Sequence, residues 1–336
     1  MIPRTEGLCQ TPSWHEAIAT AFTCPEELID YLGLDRSLLP AARAAASQFG
    51  LRVPREYVDR MERGNPLDPL LLQVLPLGAE LDLWPGFSVD PVGDLASNPV
   101  AGVLHKYHGR ALLITTGACA VNCRYCFRRH FPYQETSAYL DRWQSALDYL
   151  RGDSSISEVI LSGGDPMMIA DSRLAELLYA LEAIPHLKRL RIHTRMPVIV
   201  PQRVTEEFLS ELVRTGLNTT VVIHCNHVNE LTPLVCQAIQ KIRNSGATLL
   251  NQAVLLKGIN NDLEAQLQLC ERLFDAQVIP YYLHLLDPVQ GAAHFDVCRE
   301  EGRLLYQRLI QRLPGYLVPK LVYEKKGEAS KIPITM

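Results

Sequence analysis

The chain has 336 residues, 47% apolar and 21% charged, with a net charge of −4. Those values suit a globular protein with a large core and exclude the strongly basic surface of a nucleic-acid or anionic-membrane binder. No run of eighteen consecutive apolar residues predicts a membrane span, and the first residues lack the basic-then-apolar pattern of a signal peptide. Nine cysteines, odd in number and unevenly spread, point to a reducing, cytoplasmic setting in which clustered thiols bind metal or do chemistry.

Residues 1–100 are rich in proline, alanine and leucine, with helical patterns over 13–22, 25–32 and 54–63. A connector at 84–94, dense in Pro, Gly and Asp, reads as loop. From residue 110 onward, short β-branched runs (111–115, 158–162, 189–194, 219–224, 247–256, 278–285) alternate with amphipathic stretches (138–150, 172–182, 205–214, 229–244, 262–275, 296–312). An extended run at 316–324 precedes a polar tail. The alternation predicts an α/β protein with a parallel sheet, either doubly wound or an incomplete barrel. Three regions follow: a helical extension with its connector (1–100), an α/β core (101–290), and a C-terminal helix, strand and tail (291–336).

Residues with chemistry to offer collect at one edge of this predicted sheet. Cys119 follows strand one, Gly163, Gly164 and Asp165 follow strand two, His224 closes strand four and Asp287 follows strand six; Gln252 lies within strand five. In parallel sheets and barrels the carboxyl edge carries the active site.

Cys119, Cys123 and Cys126 place three thiolates within eight residues in a CxxxCxxC pattern. Thiolates are soft ligands that suit iron–sulfur clusters or zinc. A cubane cluster held by three cysteines keeps one iron open to a small molecule. Structural zinc needs a fourth ligand, for which His130 or a distant cysteine is available. Incidental cysteines are the plainest alternative, and the spacing argues against them.

CxxxCxxC with Tyr125 before the last cysteine resembles the radical S-adenosylmethionine superfamily. Leu161-Ser162-Gly163-Gly164-Asp165 resembles that family's glycine-rich segment beside the methionyl group, where glycines let backbone approach a ligand with free N–H groups. Further segments tighten the resemblance: Phe127-Arg128-Arg129 after the last cysteine, Met196 through Arg203, His224 through Glu230, Asn251 through Gly258, and Lys331-Ile332-Pro333. Together they are similar to lysine 2,3-aminomutases from about residue 80 onward, and most of all to the short bacterial enzymes that make (R)-β-lysine for elongation factor P.

The resemblance implies an incomplete parallel (β/α)6 barrel, a partial TIM barrel, with a mainly helical N-terminal extension. It implies a [4Fe-4S] cluster on Cys119, Cys123 and Cys126, and S-adenosylmethionine beside Tyr125, Ser162, Gly163, Gly164, Asp165 and His224. It also implies pyridoxal 5′-phosphate on Lys331, its phosphate held by Lys106, Arg110 and Gln252. Arg128 matches the residue that binds the substrate carboxylate, which a guanidinium suits bidentately. Asp287 and Glu324 match two acids for a distant ammonium, a pair that favours a basic amino acid and repels glutamate. Three departures stand out: Lys106 replaces an arginine, Glu324 an aspartate, and Lys326-Gly-Glu-Ala-Ser330 a glycine-rich run.

The implied activity converts (S)-α-lysine to (R)-β-lysine, with an external electron donor such as flavodoxin, a functional link to elongation factor P and its ligase, and a homo-oligomeric assembly. Taken alone, Lys331 reads as a solvated tail lysine and Lys106 and Arg110 as surface charges, while His224 reads equally well as a core histidine or a ligand contact. Two other functions stay open from residues alone: an aminomutase for another basic amino acid, and a non-enzymatic iron–sulfur redox or iron sensor.

Overall fold

The structure is a computed structural model that describes residues 13–133 and 143–335. Residues 138–142 of the expected helix, and the first residues read for a signal peptide, lie outside the described residues. Among the described residues, four short helices form the N-terminal extension: α1 (Trp14–Ala19), α2 (Pro25–Leu32), α3 (Leu39–Ala46) and α4 (Arg55–Val58). Ser13 closes a capping box with Glu16 at the start of α1, which satisfies amides that the first helical turn leaves unpaired. The connector at 84–94 contains neither helix nor strand.

Nine strands then form one sheet in chain order. They are β1 (Val103–Tyr107), β2 (Arg110–Thr116), β3 (Glu158–Gly163), β4 (Arg189–Thr194), β5 (Asn218–Ile223), β6 (Thr248–Val254), β7 (Ile279–His284), β8 (Lys320–Tyr323) and β9 (Ile332–Pro333). Strands β2 to β8 are parallel, while β1 and β9 flank them antiparallel. The order never reverses, as it would in a doubly wound sheet, and the two end strands do not pair. The result is the expected open barrel, carried one parallel strand further by β8.

The sequence reading passed over β1. It joins β2 through a tight turn at His108 and Gly109, where Gly109 has φ +74, a backbone region that glycine enters without strain. Polar His105 and Lys106 break the apolar run that would have flagged the strand.

Between the strands run α5 (Gln144–Gly152), α6 (Asp171–Glu182), the short α7 (Met196–Ile199), α8 (Glu206–Arg214), α9 (Pro233–Asn244), α10 (Leu263–Asp275) and α11 (Arg299–Arg312). Leu174, Leu177, Leu178 and Leu181 form the buried stripe of α6, a helical period that matches one face to the sheet. Buried Leu28, Ile29, Tyr57, Leu70 and Leu71 of the extension belong to the same continuous core as Leu113, Val159 and Leu190 of the strands. The extension is therefore packed into the barrel's core. No helix among the described residues is long and apolar enough to cross a membrane.

Candidate active site

At the carboxyl edge of the strands lies a cavity of about 470 Å3. Its walls hold Cys119, Cys123, Tyr125, Cys126 and Arg128 from the loop after β2, and Ser162, Gly163, Gly164 and Asp165 from the end of β3. His224, Gln252, Asp287, Glu324 and Lys331 come from later strands and loops, and Lys106 and Arg110 from the first hairpin. The structure thus brings every residue given a cluster, cofactor or substrate role by the resemblance to one space, while His130, the alternative zinc ligand, lies outside it.

The cysteine loop starts where the β2–β3 register slips between Ile114 and Thr116. It is pinned from the β3 side: the amides of Gly164 and Asp165 donate to the carbonyls of Thr116 and Ala118 at 2.7 and 2.8 Å. These N–H groups are therefore not free for a ligand, contrary to the sequence reading of this segment. The glycines serve close packing instead. A Cβ on Gly163, which has φ +120, would lie 2.7 Å from the Thr116 oxygen, and one on Gly164 would overlap the Ala118 carbonyl.

Asp165 spends its carboxylate on neighbouring protein donors as well. It accepts from the Met167 amide at 3.0 Å, the Thr194 hydroxyl at 2.7 Å and the Arg195 amide at 2.7 Å. Tyr133, which the sequence did not flag, donates its hydroxyl to the Gly163 carbonyl at 2.7 Å.

Burial, then the neighbouring thiols, push Cys126 up to about 11 and Cys119 well above its ordinary range. Three thiolates in this cavity need positive charge, which iron supplies. A cubane takes one thiolate on each of three irons, so the three thiols need not converge on a single ion. The loop fits a cluster on these grounds.

A chain of charges lines the same cavity, starting at Arg128 beside Cys126. Arg128 Nε donates to Asp94 Oδ2 at 2.6 Å, and Lys106 Nζ lies 2.5 Å from Asp94 Oδ1. Lys106 also donates to Glu324 Oε1 at 3.1 Å, and Lys331 donates to Glu324 Oε2 at 2.7 Å. A third Lys106 bond goes to the Val92 carbonyl at 2.8 Å. An ammonium has three donors, so Lys106 is fully engaged with protein acceptors and has none left for a phosphate in this arrangement. Arg110 is different: its guanidinium sits 4.7 Å from the centre of the Tyr107 ring and faces the cavity wall.

Burial raises Asp287 to about 7, with help from Glu324 and against the pull of Lys331 and Lys106. Burial also opposes ionisation of Glu324, but the two lysines beside it win and hold it near 2. Two acids in one cavity thus have opposite biases, because only Glu324 touches cations.

His224 Nε2 lies 2.9 Å from Gln252 Nε2 and accepts its hydrogen; burial keeps the ring neutral, with a pKa pushed down to about 3. His193 and His284, absent from the sequence reading, also line the cavity. Each has a buried Nε2 without a partner among the described residues. Unmet polar atoms on two rings that feel the charge of Lys331 fit a polar ligand such as pyridoxal phosphate.

Asp94 and Arg195 are the two other residues that the sequence reading missed. Asp94 lies in the connector at 84–94, whose composition reads as loop. Arg195 stands just before the segment Met196 through Arg203 and donates to Cys123 Sγ at 2.8 Å. Neither lies in a motif that signals its partner.

Three thiols on the loop after the first parallel strand of an open barrel, facing a glycine-rich second loop, define a radical S-adenosylmethionine protein. Residues 113–285 match the model of the Radical SAM superfamily. The chain is 50% identical over 330 residues to the L-lysine 2,3-aminomutase of Escherichia coli (strain K12), covering 97% of this chain and 96% of that one. It is 46% identical over 331 residues to the L-lysine 2,3-aminomutase of Haemophilus influenzae, covering 98% of both. The crystal structure of Streptococcus suis SuiB bound to S-adenosylmethionine aligns over 67% of this chain and 52% of that one, with a TM-score of 0.46 and 16% identity. The chain belongs to the L-lysine 2,3-aminomutase family of radical SAM enzymes.

Proposed function

We propose that this chain is a radical S-adenosylmethionine, pyridoxal phosphate-dependent aminomutase that converts (S)-α-lysine to (R)-β-lysine. One observation carries the substrate assignment: Arg128, Asp287, Glu324 and Lys331 share a single cavity with the three cysteines. A guanidinium for a carboxylate and two acids for an ammonium, with a reactive amine in the same space, match an amino acid that bears a cationic side chain.

When bound, the [4Fe-4S] cluster with S-adenosylmethionine supplies a hydrogen-abstracting carbon radical, and pyridoxal phosphate supplies the carbonyl and π system over which an amino group shifts. The protein's share is positioning. Arg128, braced by Asp94, takes the carboxylate. Asp287 and Glu324 take the ε-ammonium. Lys331 must lose its charge to react with a carbonyl; in doing so it releases Glu324 Oε2, which is then open to the substrate's ammonium. One carboxylate can therefore serve two amines in turn. Arg110 is the cation best placed for the phosphate. Leu104, Leu112, Ile160 and Val254 line the same cavity and keep water from the reacting carbon.

The reading extends to setting. The two relatives and this chain cover one another almost end to end, which supports the short bacterial type that supplies β-lysine for elongation factor P and its ligase. A low-potential one-electron donor such as flavodoxin, a cytoplasmic location and a homo-oligomeric form belong to the same proposal. The test is anaerobic: iron- and sulfide-reconstituted, pyridoxal-loaded enzyme with lysine, S-adenosylmethionine and reductant should yield β-lysine. Competition by ornithine and arginine tests the side chain. Absence of both β-lysine and 5′-deoxyadenosine would return the chain to the iron-sensor alternative.

A further inference from the structure

Arg195 is buried, 6% exposed, and its hydrogen bonds knit three parts of the molecule together. Nη1 donates to Cys123 Sγ at 2.8 Å. Nη2 shares its two hydrogens among Glu230 Oε2 at 2.8 Å, Gln73 Oε1 at 2.7 Å and, more weakly, the Tyr57 hydroxyl at 3.1 Å. The buried Nε has no partner among the described residues. Tyr57 lies on α4 and Gln73 in the segment after it, both in the extension.

The ring of bonds closes on the cysteine loop from the other side. Asn226 Nδ2 donates to the Tyr125 hydroxyl at 2.7 Å and to Gln73 Oε1 at 3.0 Å. Glu230, fully buried, accepts from the Asn226 and His227 amides at 2.8 and 3.0 Å. The extension also grips the loop's backbone: the Asn122 amide donates to the Arg52 carbonyl and the Arg124 amide to the Gln73 carbonyl, both at 3.0 Å. Arg52, Tyr57 and Gln73 of the extension thus contact the cysteine loop or the arginine that touches one of its sulfurs.

We infer that Arg195 is a positioning residue that sets the reduction potential of the cluster through Cys123, and that the N-terminal extension exists in part to hold it there. A charged donor on a ligating sulfur draws electron density from the cluster and favours its more negative, reduced state, so the hydrogen bond raises the potential. Glu230 balances the buried charge, while Tyr57 and Gln73 fix the guanidinium plane so that Nη1 stays on the sulfur. The inference rests on the reading of Cys119, Cys123 and Cys126 as cluster ligands.

The test is the midpoint potential of the reconstituted cluster, followed by electron paramagnetic resonance during a dithionite titration without S-adenosylmethionine or lysine. Circular dichroism and iron content serve as controls. Arg195→Met should make reduction about tenfold less favourable, a fall of about 59 mV for one electron. Arg195→Met with Glu230→Gln should show the same fall without stranding a buried carboxylate. Arg195→Lys, too short to reach both Glu230 and Cys123, should show a smaller fall. Glu230→Gln alone keeps the donor and should not lower the potential. Wild-type potentials in both Arg195→Lys and the double variant overturn the inference, and so does a fall in Glu230→Gln that equals theirs. A wild-type protein that takes up no four-iron cluster sinks the cluster reading itself, a separate outcome that needs no variant.

Discussion

Glu324 Oε2 lies 2.7 Å from Lys331 Nζ, while its other oxygen lies 3.1 Å from Lys106 Nζ. One carboxylate thus spans the lysine expected to hold the cofactor and the lysine of the first hairpin. An aspartate, one methylene shorter, would reach one of them less well. The arginine-to-lysine and aspartate-to-glutamate departures noted in the sequence meet at this point: a shorter cation faces a longer anion, and the pair stays in contact.

Glu324→Gln should therefore raise KM for lysine by about 10- to 100-fold, the roughly 1.5–3 kcal/mol of a charged hydrogen bond. Glu324→Asp should cost less and shift competition between lysine and ornithine. Steady-state kinetics on both variants checks this, and an unchanged KM in Glu324→Gln contradicts the assignment.

Asp287 gives the lysine KM a pH dependence. Its pKa of about 7 in the free protein reflects burial beside Glu324. A bound ammonium favours the ionised form, so binding at lower pH must release a proton. KM should accordingly rise as pH falls through about 7 and level off above it. Asp287→Asn should flatten the profile and raise KM throughout. The same group bears on folding: its raised pKa means protonated Asp287 favours the native state, so its share of stability is full at acid pH and fades as pH rises through about 7.

Asp94 predicts an indirect effect on substrate. It bonds Arg128 at 2.6 Å and Lys106 at 2.5 Å. Asp94→Asn weakens both bonds and leaves two buried cations short of an anion, at a cost of about 3–5 kcal/mol in stability. Thermal unfolding should show the loss. Among molecules that still fold, kcat/KM for lysine should drop through KM, because Arg128 is no longer aimed. Arg128→Lys should fall further, by about 100-fold or more, since the fork for a carboxylate is gone.

Gly164→Ala tests the packing of the second loop against the cysteine loop. The added Cβ overlaps the Ala118 carbonyl, so one backbone must shift. About 1–3 kcal/mol of stability should be lost, and iron retention after gel filtration should fall with it, although no ligand is removed. Full iron content at wild-type stability would show that the two loops are not in such close contact.

Much of this protein could be read along the chain because the signals are local. Cys119, Cys123 and Cys126 sit within one turn-rich loop, and the six core strands are short runs of β-branched and apolar residues buried on both sides, a pattern that needs no partner to be seen. Their alternation with helices fixed the edge on which chemistry gathers. β8 was visible only as an extended run, because four residues become a strand when β7 offers them hydrogen bonds.

Tertiary structure decided the rest, and distance along the chain is the physical reason. Lys106 and Glu324 are 218 residues apart, Arg195 and Tyr57 138 apart, and Arg128 and Asp94 34 apart. An ion pair or a buried arginine has no sequence period; it exists only where the fold closes a low-dielectric space around both partners, which must then satisfy each other. So the sequence determined which atoms start the chemistry, and the fold decided which charges aim it.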